Sequence, residues 1–477
     1  MTPSKRDLPP YNTIYWFDQL IDHDDPSLGT FRQRYFFTSE FYEPGGPIVF
    51  NTPGEVAVDG YSGYLTNRTM NGAIAQQEHG AAVVLEHRFY GESNPYPDLK
   101  TESLRVHTIK QAIEDIEYFA YNVKFPMDNG TSVTPDVTPW IMTGGSYSGA
   151  LTSFTMFSKP DLIWAGYASS ATVQNIQDFW RYFEPTREFM DKNCSADVSA
   201  VIAYIDETFG GDDEDAIFAL KQHFNVSDVT HLDDIAGAFR NNIWTWQSLG
   251  PSSPRTATFY AFCDWLEVDS ETGAVAGEEG WGLEHALQAW GTYWNSTWAS
   301  LCGDLDGETC LGSYDPNLST YTNTDVGYTW RSWDWIVCNE VGFFEDGPPA
   351  DVTFAPIVSR LINVDTDYDP RQCAMMYPEA FSEPAHPDVD QTNKLYGGWN
   401  VTTERLFFAV GSRDPWREAT FGANGIATES TDRMPIVMSD GFHCSDLSIA
   451  QGATDASIGD LQKQALAYMH DWVAEWK

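Results

Sequence analysis

The feature that most constrains this fold is a stretch of small residues directly after an apolar run, IMTGGSYSGA at residues 141–150. The apolar run is typical of a buried strand, and the residues from Tyr147 onward are typical of a helix. Two glycines before Ser146 allow a sharp bend between the two elements. Such a strand–turn–helix bend exposes one serine hydroxyl, as in the hydrolase motif G-x-S-x-G. Ser148 occupies the last glycine position of that motif, and it is small enough to be tolerated there.

Both ends of the chain alternate strand-like and helix-like segments. This alternation predicts a mostly parallel sheet covered by helices on both faces. In such sheets the active groups lie beyond the carboxyl ends of the strands. The predicted strands are residues 31–42, 47–50, 81–86, 140–142, 164–169, 405–410 and 435–438, and the predicted helices are 106–123, 147–157 and 455–477.

The middle of the chain, residues 173–395, has a different composition. It is rich in Trp, Asp and Gly and holds six of the seven cysteines. We predict a mainly helical cap domain over these residues, inserted into a core made of residues 1–172 and 396–477.

Three residues that could form a catalytic triad each follow a predicted strand. Ser146, Asp414 and His443 occur in the chain order of the α/β-hydrolase triads. A serine hydroxyl becomes a nucleophile when a histidine accepts its proton, and a carboxylate orients that histidine. A Gly-Ser turn, an Asp-Pro turn or one histidine is common by itself, but the three together predict an α/β-hydrolase with a mainly helical cap.

Two backbone groups are candidates for an oxyanion hole. The N–H of Tyr147 begins the helix after the bend, and Gly54 lies in the loop after an earlier strand, where a second donor belongs. Ser148 is a rival nucleophile, but a packing role at the helix start fits it better than catalysis.

The charge of the chain excludes several classes of partner. Twenty-seven basic and 69 acidic residues give a net charge of −42. This charge repels nucleic acids and anionic membranes. It fits an acidic environment, and it fits a merely soluble secreted protein equally well. The charge by itself identifies no partner, and the oligomeric state stays open.

Cysteines and glycosylation sequons indicate the secretory route. The cysteines form no C-x-x-C pattern, and the sequence predicts no metal site and no cofactor. Dispersed cysteines with several sequons favour a secreted or vacuolar glycoprotein. The first residues, MTPSKRDLPP, contain no signal peptide, and there is no apolar run long enough to span a membrane. The Asn-x-Ser/Thr sequons are at Asn67, Asn129, Asn193, Asn225, Asn295, Asn317 and Asn400.

Several motifs spread along the whole chain resemble one family. The chain is similar to the serine peptidases of the prolyl carboxypeptidase and dipeptidyl-peptidase II family, and most of all to their fungal branch, the acid proline-specific endopeptidases. The resemblance implies Ser146 as nucleophile, His443 as base, Asp414 as orienting carboxylate, cleavage after proline and activity at acidic pH. The matching segments are YWFDQLIDH at 15–23, NTPGE at 51–55, EHRFYGES at 86–93, GGSYSGA at 144–150, DPW at 414–416 and GFHCSDL at 441–447.

A proline pocket would be lined by aromatic side chains, because aromatic faces hold a compact apolar ring well. Trp416 directly follows Asp414-Pro415 and is the first candidate. Trp333, Trp335, Phe343 and Phe344, around Cys338, are further candidates, although ordinary core packing explains each of them too.

Acid activity requires an imidazole that still accepts a proton at low pH. We expect burial of His443 to favour its neutral form. For the cysteines we predict a local Cys302–Cys310 bond, with Cys338–Cys373 and Cys194–Cys263 as the remaining pairs and Cys444 unpaired.

Alternative functions remain open at this point. The same scaffold could serve an esterase, a lipase or an ordinary serine carboxypeptidase, since fold does not fix substrate. A catalytically inactive binding protein is a third hypothesis. The fungal resemblance favours an endopeptidase, but the sequence does not separate it from a proline-specific carboxypeptidase or dipeptidyl peptidase.

Overall fold

A computed structural model describes residues 8–127, 130 and 132–477. The chain forms two compact units. The first comprises the residues up to Ile176 together with Asn323–Gly342 and His386–Lys477, and the second comprises Gln177–Thr322 and Phe343–Ala385. None of the helices in the described ranges is long and apolar enough to cross a bilayer.

The first unit is built on an eight-stranded sheet of order β1-β2-β4-β3-β5-β6-β9-β10. Strand β2 pairs antiparallel with β1 and β4, and all other neighbours pair in parallel. A separate two-stranded sheet joins β7 and β8. The strands are β1 Tyr15–Leu20, β2 Thr30–Thr38, β3 Ile48–Asn51, β4 Ala81–Leu85, β5 Trp140–Gly145, β6 Ala165–Ser169, β7 Ile176–Asp178, β8 Gly342–Phe344, β9 Leu406–Gly411 and β10 Ile436–Ser439.

This mostly parallel sheet, with helices between its strands, is that of an α/β-hydrolase, as the sequence predicted. The α-helices of the described residues are α1 Met70–Gln77, α2 Thr101–Leu104, α3 Ile109–Asn122, α4 Tyr147–Ser158, α5 Glu184–Phe189, α6 Lys192–Phe209, α7 Glu214–His223, α8 Leu232–Trp244, α9 Thr258–Glu267, α10 Leu283–Leu301, α11 Gly307–Leu311, α12 Ser319–Thr322, α13 Thr329–Ile336, α14 Tyr368–Met376, α15 Val389–Tyr396, α16 Ile449–Thr454 and α17 Ala456–Ala474.

Alternating side chains of the strands fill the space on both faces of the sheet. On one face Val49 and Ile141 belong to a buried cluster with Ile74 of α1 and Met469 of α17. On the other face Phe50 lies 6.0 Å from Phe119 of α3, measured between ring centroids. The helices cover the central strands, which explains why these strands are apolar along their whole length.

Helix α3 illustrates how local sequence sets the elements. The hydroxyl of Thr108 accepts a hydrogen bond from the N–H of Gln111 and so caps the first turn. Ile113 and Ile116, which are three residues apart and so share one face of the helix, are both buried. The observed helix begins three residues later than predicted, because Thr108 supplies this cap.

The insertion differs from the sequence prediction of one continuous cap over 173–395. Residues 323–342 return to the first unit and carry α13. The Nε–H of Arg331 donates to the Leu99 carbonyl at 2.7 Å, and the Ser332 hydroxyl donates to the Phe89 carbonyl at 2.9 Å. These buried bonds fasten α13 to loops of the hydrolase core.

The second unit is mainly helical, as expected for the insertion. A disulfide between Cys194 and Cys263 joins α6 to α9. A second disulfide joins Cys302 to Cys310, which is eight residues further along the chain. Both pairs agree with the pairing predicted from the sequence. Cys338 and Cys373 are disulfide-bonded as well, and Cys444 is free.

Candidate active site

Ser146 stands at a strained bend between β5 and α4. Its backbone has φ 60° and ψ −131°, a conformation that residues other than glycine rarely adopt. The preceding glycines make the bend feasible, because a Cβ on Gly144 would lie 2.2 Å from the carbonyl oxygen of Ser148. Ser146 is half-buried, whereas Tyr147 and Ser148 are fully buried. The bend therefore leaves Ser146 half-buried between β5 and α4, and its role as nucleophile stays a prediction.

Ser148 has a structural role in this bend. Its side chain is 1% exposed and its hydroxyl donates to the carbonyl oxygen of Thr52, in the loop after β3. A buried hydroxyl that is already engaged in this way is a poor nucleophile. The bond also explains the departure from the hydrolase motif, since glycine at 148 would leave this loop unfastened.

The loop after β3 lies against the start of α4. Gly54 has φ 78°, and a Cβ placed on it would lie 3.4 Å from the backbone nitrogen of Ser148. The first N–H groups of α4 have no partner within the helix. The start of α4 and the loop at Gly54, which carry the two predicted oxyanion donors, therefore lie next to each other, although the N–H of Gly54 donates to the Thr52 hydroxyl at 3.4 Å.

Asp414 and His443 form a buried pair after β9 and β10. The Nδ1 of His443 lies 2.8 Å from Oδ1 of Asp414, whose side chain is fully buried. The same Asp414 oxygen accepts the N–H of Trp416 at 2.9 Å. The bond between His443 and Asp414 fixes the orientation of the imidazole and leaves Nε2 as the ring nitrogen that can accept a proton.

The electrostatics of His443 differ from the sequence expectation. Burial acts to lower the pKa of His443, as expected, but the charge and hydrogen bond of Asp414 and the neighbouring Cys444 thiol raise it well above the usual value. Burial by itself therefore does not keep this imidazole neutral in acid. The reason is that Asp414 and Cys444 together stabilise the imidazolium more than burial destabilises it.

Residues at the end of β6 form hydrogen bonds both to the bend at Ser146 and to the loop that carries His443. The N–H of Ser146 donates to the Ser169 carbonyl at 3.0 Å, and the N–H of Cys444 donates to the Ser170 hydroxyl at 2.9 Å. Asp446 adds to this arrangement by accepting the Ser169 hydroxyl at 2.8 Å. The GFHCSDL segment thus carries His443, the predicted base, together with the groups that hold its loop at the end of β6.

The EHRFYGES segment supports the loop after β3. The Glu86 carboxylate accepts the N–H of Val58 at 2.9 Å, the Nε–H of Arg34 at 2.8 Å and the Ser93 hydroxyl at 2.6 Å. Arg88 follows Glu86 by two residues, and its buried guanidinium forms an ion pair with the carboxylate of Asp115. Sequence reasoning recognised this segment as specific but gave it no role. The structure shows that it is a buried ionic framework.

A second part of the framework lies behind Tyr147. Its phenol oxygen is 3.2 Å from Nε2 of His87, and burial lowers the pKa of His87 to about 4, so that this imidazole is neutral. The Trp333 ring packs edge-on against Tyr147, with centroids 5.4 Å apart. Burial raises the pKa of nearby Glu340 to about 7, although its carboxylate accepts the Ile109 N–H.

Glu55 is a further titratable group at the site, which sequence reasoning noted only as part of a motif. Its Oε2 is inaccessible to solvent and has no hydrogen-bond partner among the described residues. Burial raises the pKa of Glu55 to about 7, while its own backbone N–H and the charge of His443 act to lower it. The pKa of this buried carboxyl group therefore lies near neutrality and is affected by the charge of His443.

Comparison with known proteins identifies the family. A family model described as serine carboxypeptidase S28 matches residues 19–464. The chain belongs to the serine carboxypeptidase S28 family. It is therefore a serine peptidase, and peptides or proteins are its substrates.

Three relatives of the S28 peptidase illustrate this match. The serine protease vicPa of Bipolaris victoriae is 33% identical over 96% of this chain and 88% of its own length. A probable extracellular serine carboxypeptidase of Arthroderma benhamiae is 30% identical over 96% of this chain and 66% of its own. The lysosomal Pro-X carboxypeptidase of Pongo abelii is 22% identical over 98% and 89%.

The predicted pocket residues of this S28 member lie in different places. The Trp416 ring centroid is 6.3 Å from that of His443, and Trp333 contacts Tyr147. Trp335 is 6% exposed and its indole N–H donates to the His107 carbonyl, which is a packing role. Phe343 and Phe344 belong to the second unit, where both are buried.

The sequons are mostly on the surface. Asn193 is half-buried, and Asn129 lies outside the described residues. Glycosylation of all seven stays a prediction. The exposed asparagines are Asn67, Asn225, Asn295, Asn317 and Asn400.

Proposed function

We propose that this S28 peptidase cleaves on the carboxyl side of proline, as an endopeptidase acting on proline-rich peptides or proteins. The observation that carries the proposal is the half-buried Trp416 ring beside the catalytic histidine, 6.3 Å between centroids. An indole face at this position offers a compact apolar surface for a pyrrolidine ring. The name of the Pongo abelii relative, a Pro-X carboxypeptidase, agrees with this preference.

In the acylation step Ser146 attacks the carbonyl carbon of the scissile bond while Nε2 of His443 accepts its proton. Asp414 holds the imidazole through Nδ1 and stabilises the imidazolium that forms. Negative charge develops on the carbonyl oxygen, and the N–H of Tyr147 together with the loop at Gly54 stabilises it. His443 then protonates the leaving amine, and an acyl-enzyme remains on Ser146.

In the deacylation step water takes the place of the leaving peptide. His443 removes a proton from this water, and the resulting hydroxide attacks the acyl carbon. Collapse of the second tetrahedral intermediate returns the proton to Ser146 and releases the product that ends in proline.

The family resemblance implies activity at acidic pH, but the raised pKa of His443 argues against it. A protonated imidazole cannot accept the proton of Ser146, and the pKa of His443 is raised well above its usual value. We therefore propose that activity falls on the acid side as His443 gains its proton.

The decisive experiment uses a long peptide with both ends blocked and a single internal proline, beside the same peptide with alanine there. We expect mass spectrometry to find products that end in proline from the first peptide and little cleavage of the second. Equal cleavage of both peptides would overturn the proline preference. S146A is the matched inactive control.

Exopeptidase action is the second candidate, because two of the relatives are named carboxypeptidases. Peptides with free ends separate the cases. Cleavage that requires a free carboxyl terminus indicates a carboxypeptidase, and cleavage that requires a free amino terminus indicates a dipeptidyl peptidase. Hydrolysis of simple esters without peptide cleavage would favour an esterase or lipase.

We also propose that the protein is secreted. Disulfides and exposed sequons fit the extracellular space, and the Arthroderma benhamiae relative is named as extracellular. The relatives named above give no support to a vacuolar location. Enzymatic removal of N-linked glycans from the secreted protein should lower its mass.

A further inference from the structure

The second unit contains a cleft of about 470 Å³ between the start of α6, the end of α9 and the loop that follows α9. This volume is in the range of small-ligand sites. The Cys194–Cys263 disulfide joins the two helices beside the cleft. The residues of the predicted triad are not part of the lining, which includes Asp191, Arg255, Asp264, Glu267, Val275 and Glu278.

Glu267, the last residue of α9, brings a buried carboxyl group without a partner to this cleft. The residue is 3% exposed, and neither of its side-chain oxygens has a hydrogen-bond partner among the described residues. The nearby carboxylate of Asp197 is satisfied, because it accepts the N–H of Trp281 at 2.8 Å and the N–H of Gly282 at 2.9 Å. A buried carboxylate without a donor is unfavourable, so Glu267 gains from a ligand that donates to both of its oxygens.

Arg255 shows which kind of group the other carboxylates of the cleft bind. Its Nη1 donates to Oδ2 of Asp191 at 2.8 Å, and its Nη2 donates to Asp264. A planar guanidinium matches carboxylates well, because its N–H donors lie in one plane. The cleft therefore already binds one guanidinium, which belongs to the chain itself.

The basic residues of the cleft leave two of its carboxyl groups without a counter-charge. Arg255 is held by the two aspartates, and the ammonium group of Lys192 donates to a backbone carbonyl of α5 at 2.9 Å. In the described part of the chain, neither Glu267 nor the exposed Glu278 forms an ion pair with a lysine or an arginine. The cleft thus has charge left to attract a cationic ligand.

The spacing of the acidic groups favours an organic cation over a metal ion. Within the described ranges, no three carboxylates of the cleft have oxygens within 4.8 Å of one another. A calcium ion takes six to eight oxygen ligands at about 2.3–2.6 Å, so this spacing does not suit it. Val275 is 63% exposed and lines the same cleft, and it offers an apolar surface for the hydrocarbon stem of a basic side chain.

We propose that this cleft binds the side chain of an arginine residue in a peptide or protein. The guanidinium donates to the carboxylate of Glu267, and the stem of the side chain packs on Val275. The cleft is then an exosite that holds a basic residue of a peptide. The inference goes beyond the proposed function and does not depend on it, because binding requires no cleavage.

The test is calorimetric titration of the full chain with three blocked tripeptides, acetyl-Ala-X-Ala-amide, in which X is arginine, lysine or citrulline. Citrulline has nearly the shape of arginine and no charge. The parent chain carries S146A, which keeps the peptides intact, and S195A, which removes the sequon at Asn193 so that no glycan covers the cleft. We expect the arginine peptide to bind about tenfold or more tightly than the citrulline peptide, with the lysine peptide between them.

Three substitutions in this parent chain locate the site. E267Q should weaken binding of the arginine peptide by about tenfold or more, because it removes the buried charge. E278Q changes an exposed lining residue and should weaken binding by about threefold without affecting the fold. E207Q is the matched control, since Glu207 is exposed on α6 outside the cleft, and its affinity should equal that of the parent.

Equal binding of the arginine and citrulline peptides would overturn the inference. Unchanged affinity in both E267Q and E278Q would overturn it as well. An equal loss in E207Q would also contradict it, because the peptide would then be attracted to the acidic chain as a whole.

The pH dependence of binding gives a second readout. Burial and the negative charge of Asp197 raise the pKa of Glu267 to about 8, whereas a guanidinium stays charged up to about pH 12. Binding in the parent should therefore be stronger at pH 9 than at pH 6, and E267Q should abolish this difference. Equal affinity at the two pH values in the parent would contradict the role of Glu267. The other charged groups around Glu267 are present in both proteins, namely Asp191, Lys192, Asp197, Arg255, Asp264 and Glu278.

Discussion

The hydroxyl of Ser148 donates to the carbonyl oxygen of Thr52 and fastens the loop after β3 to the first turn of α4. We expect S148A to slow catalysis and to destabilise the protein by about 1–3 kcal/mol, because the buried Thr52 carbonyl loses its partner. Thermal unfolding and kcat would measure the two effects.

Ser153 provides the control for this change on the same helix. It is fully buried, and its hydroxyl has no partner among the described residues. We expect S153A to change stability and activity little. Equal losses in S148A and S153A would show that the bond to Thr52 is unimportant.

The strained backbone of Ser146 predicts a difference between two inactive variants. Both S146A and S146G lack the nucleophile, but glycine adopts φ 60° without steric cost. We therefore expect S146G to be more stable than S146A by about 1 kcal/mol. Denaturant unfolding measures this difference, and S146A being the more stable variant would contradict it.

Asp414 is expected to act through the orientation of His443. D414N leaves the shape of the site intact but favours the wrong imidazole tautomer, so kcat should fall by about 10⁴-fold. D440N is the control, because Asp440 is exposed and close to His443 in sequence. A loss below tenfold in D414N would mean that Asp414 does not orient the base.

Because the pKa of Glu267 is raised, we expect the second unit to lose stability as the pH rises. Burial, followed by the negative charge of Asp197, raises the pKa of Glu267 from 4.5 to about 8. Its stabilising contribution is complete below pH 4.5 and is lost as the pH rises through about 8, at about 1.4 kcal/mol per pH unit. The unfolding temperature should fall accordingly.

E267Q should flatten this pH dependence, because the amide has nearly the same size as the carboxyl group and does not ionise. E279Q, which removes the same charge from an exposed position, should leave the slope unchanged. Identical slopes in E267Q and the wild type would refute the assignment.

Local sequence predicted seven of the ten strands and the bend, because these depend on neighbouring residues, but it missed β1, β7 and β8. Apolar runs followed by polar turns placed Ser146, Asp414 and His443 after their strands, and the structure has them there. The ionic framework could not be predicted in this way. Arg34 and Glu86 are 52 residues apart and meet only because β2 pairs with β4.

The direction of the pKa shift of His443 was also beyond local reasoning. Burial of the imidazole was expected, but the outcome depends on the distance to Asp414, which only the folded chain supplies. Local sequence also could not predict that residues 323–342 belong to the first unit. Their placement depends on contacts between distant parts of the chain, such as the hydrogen bond from Arg331 to the Leu99 carbonyl.

This return of α13 has a consequence for protein engineering. The insertion cannot be exchanged as one continuous segment, because excising 177–385 would also remove the residues that anchor to Phe89 and Leu99. A chimera should graft 177–322 and 343–385 as two separate pieces and keep the native residues 323–342 between them.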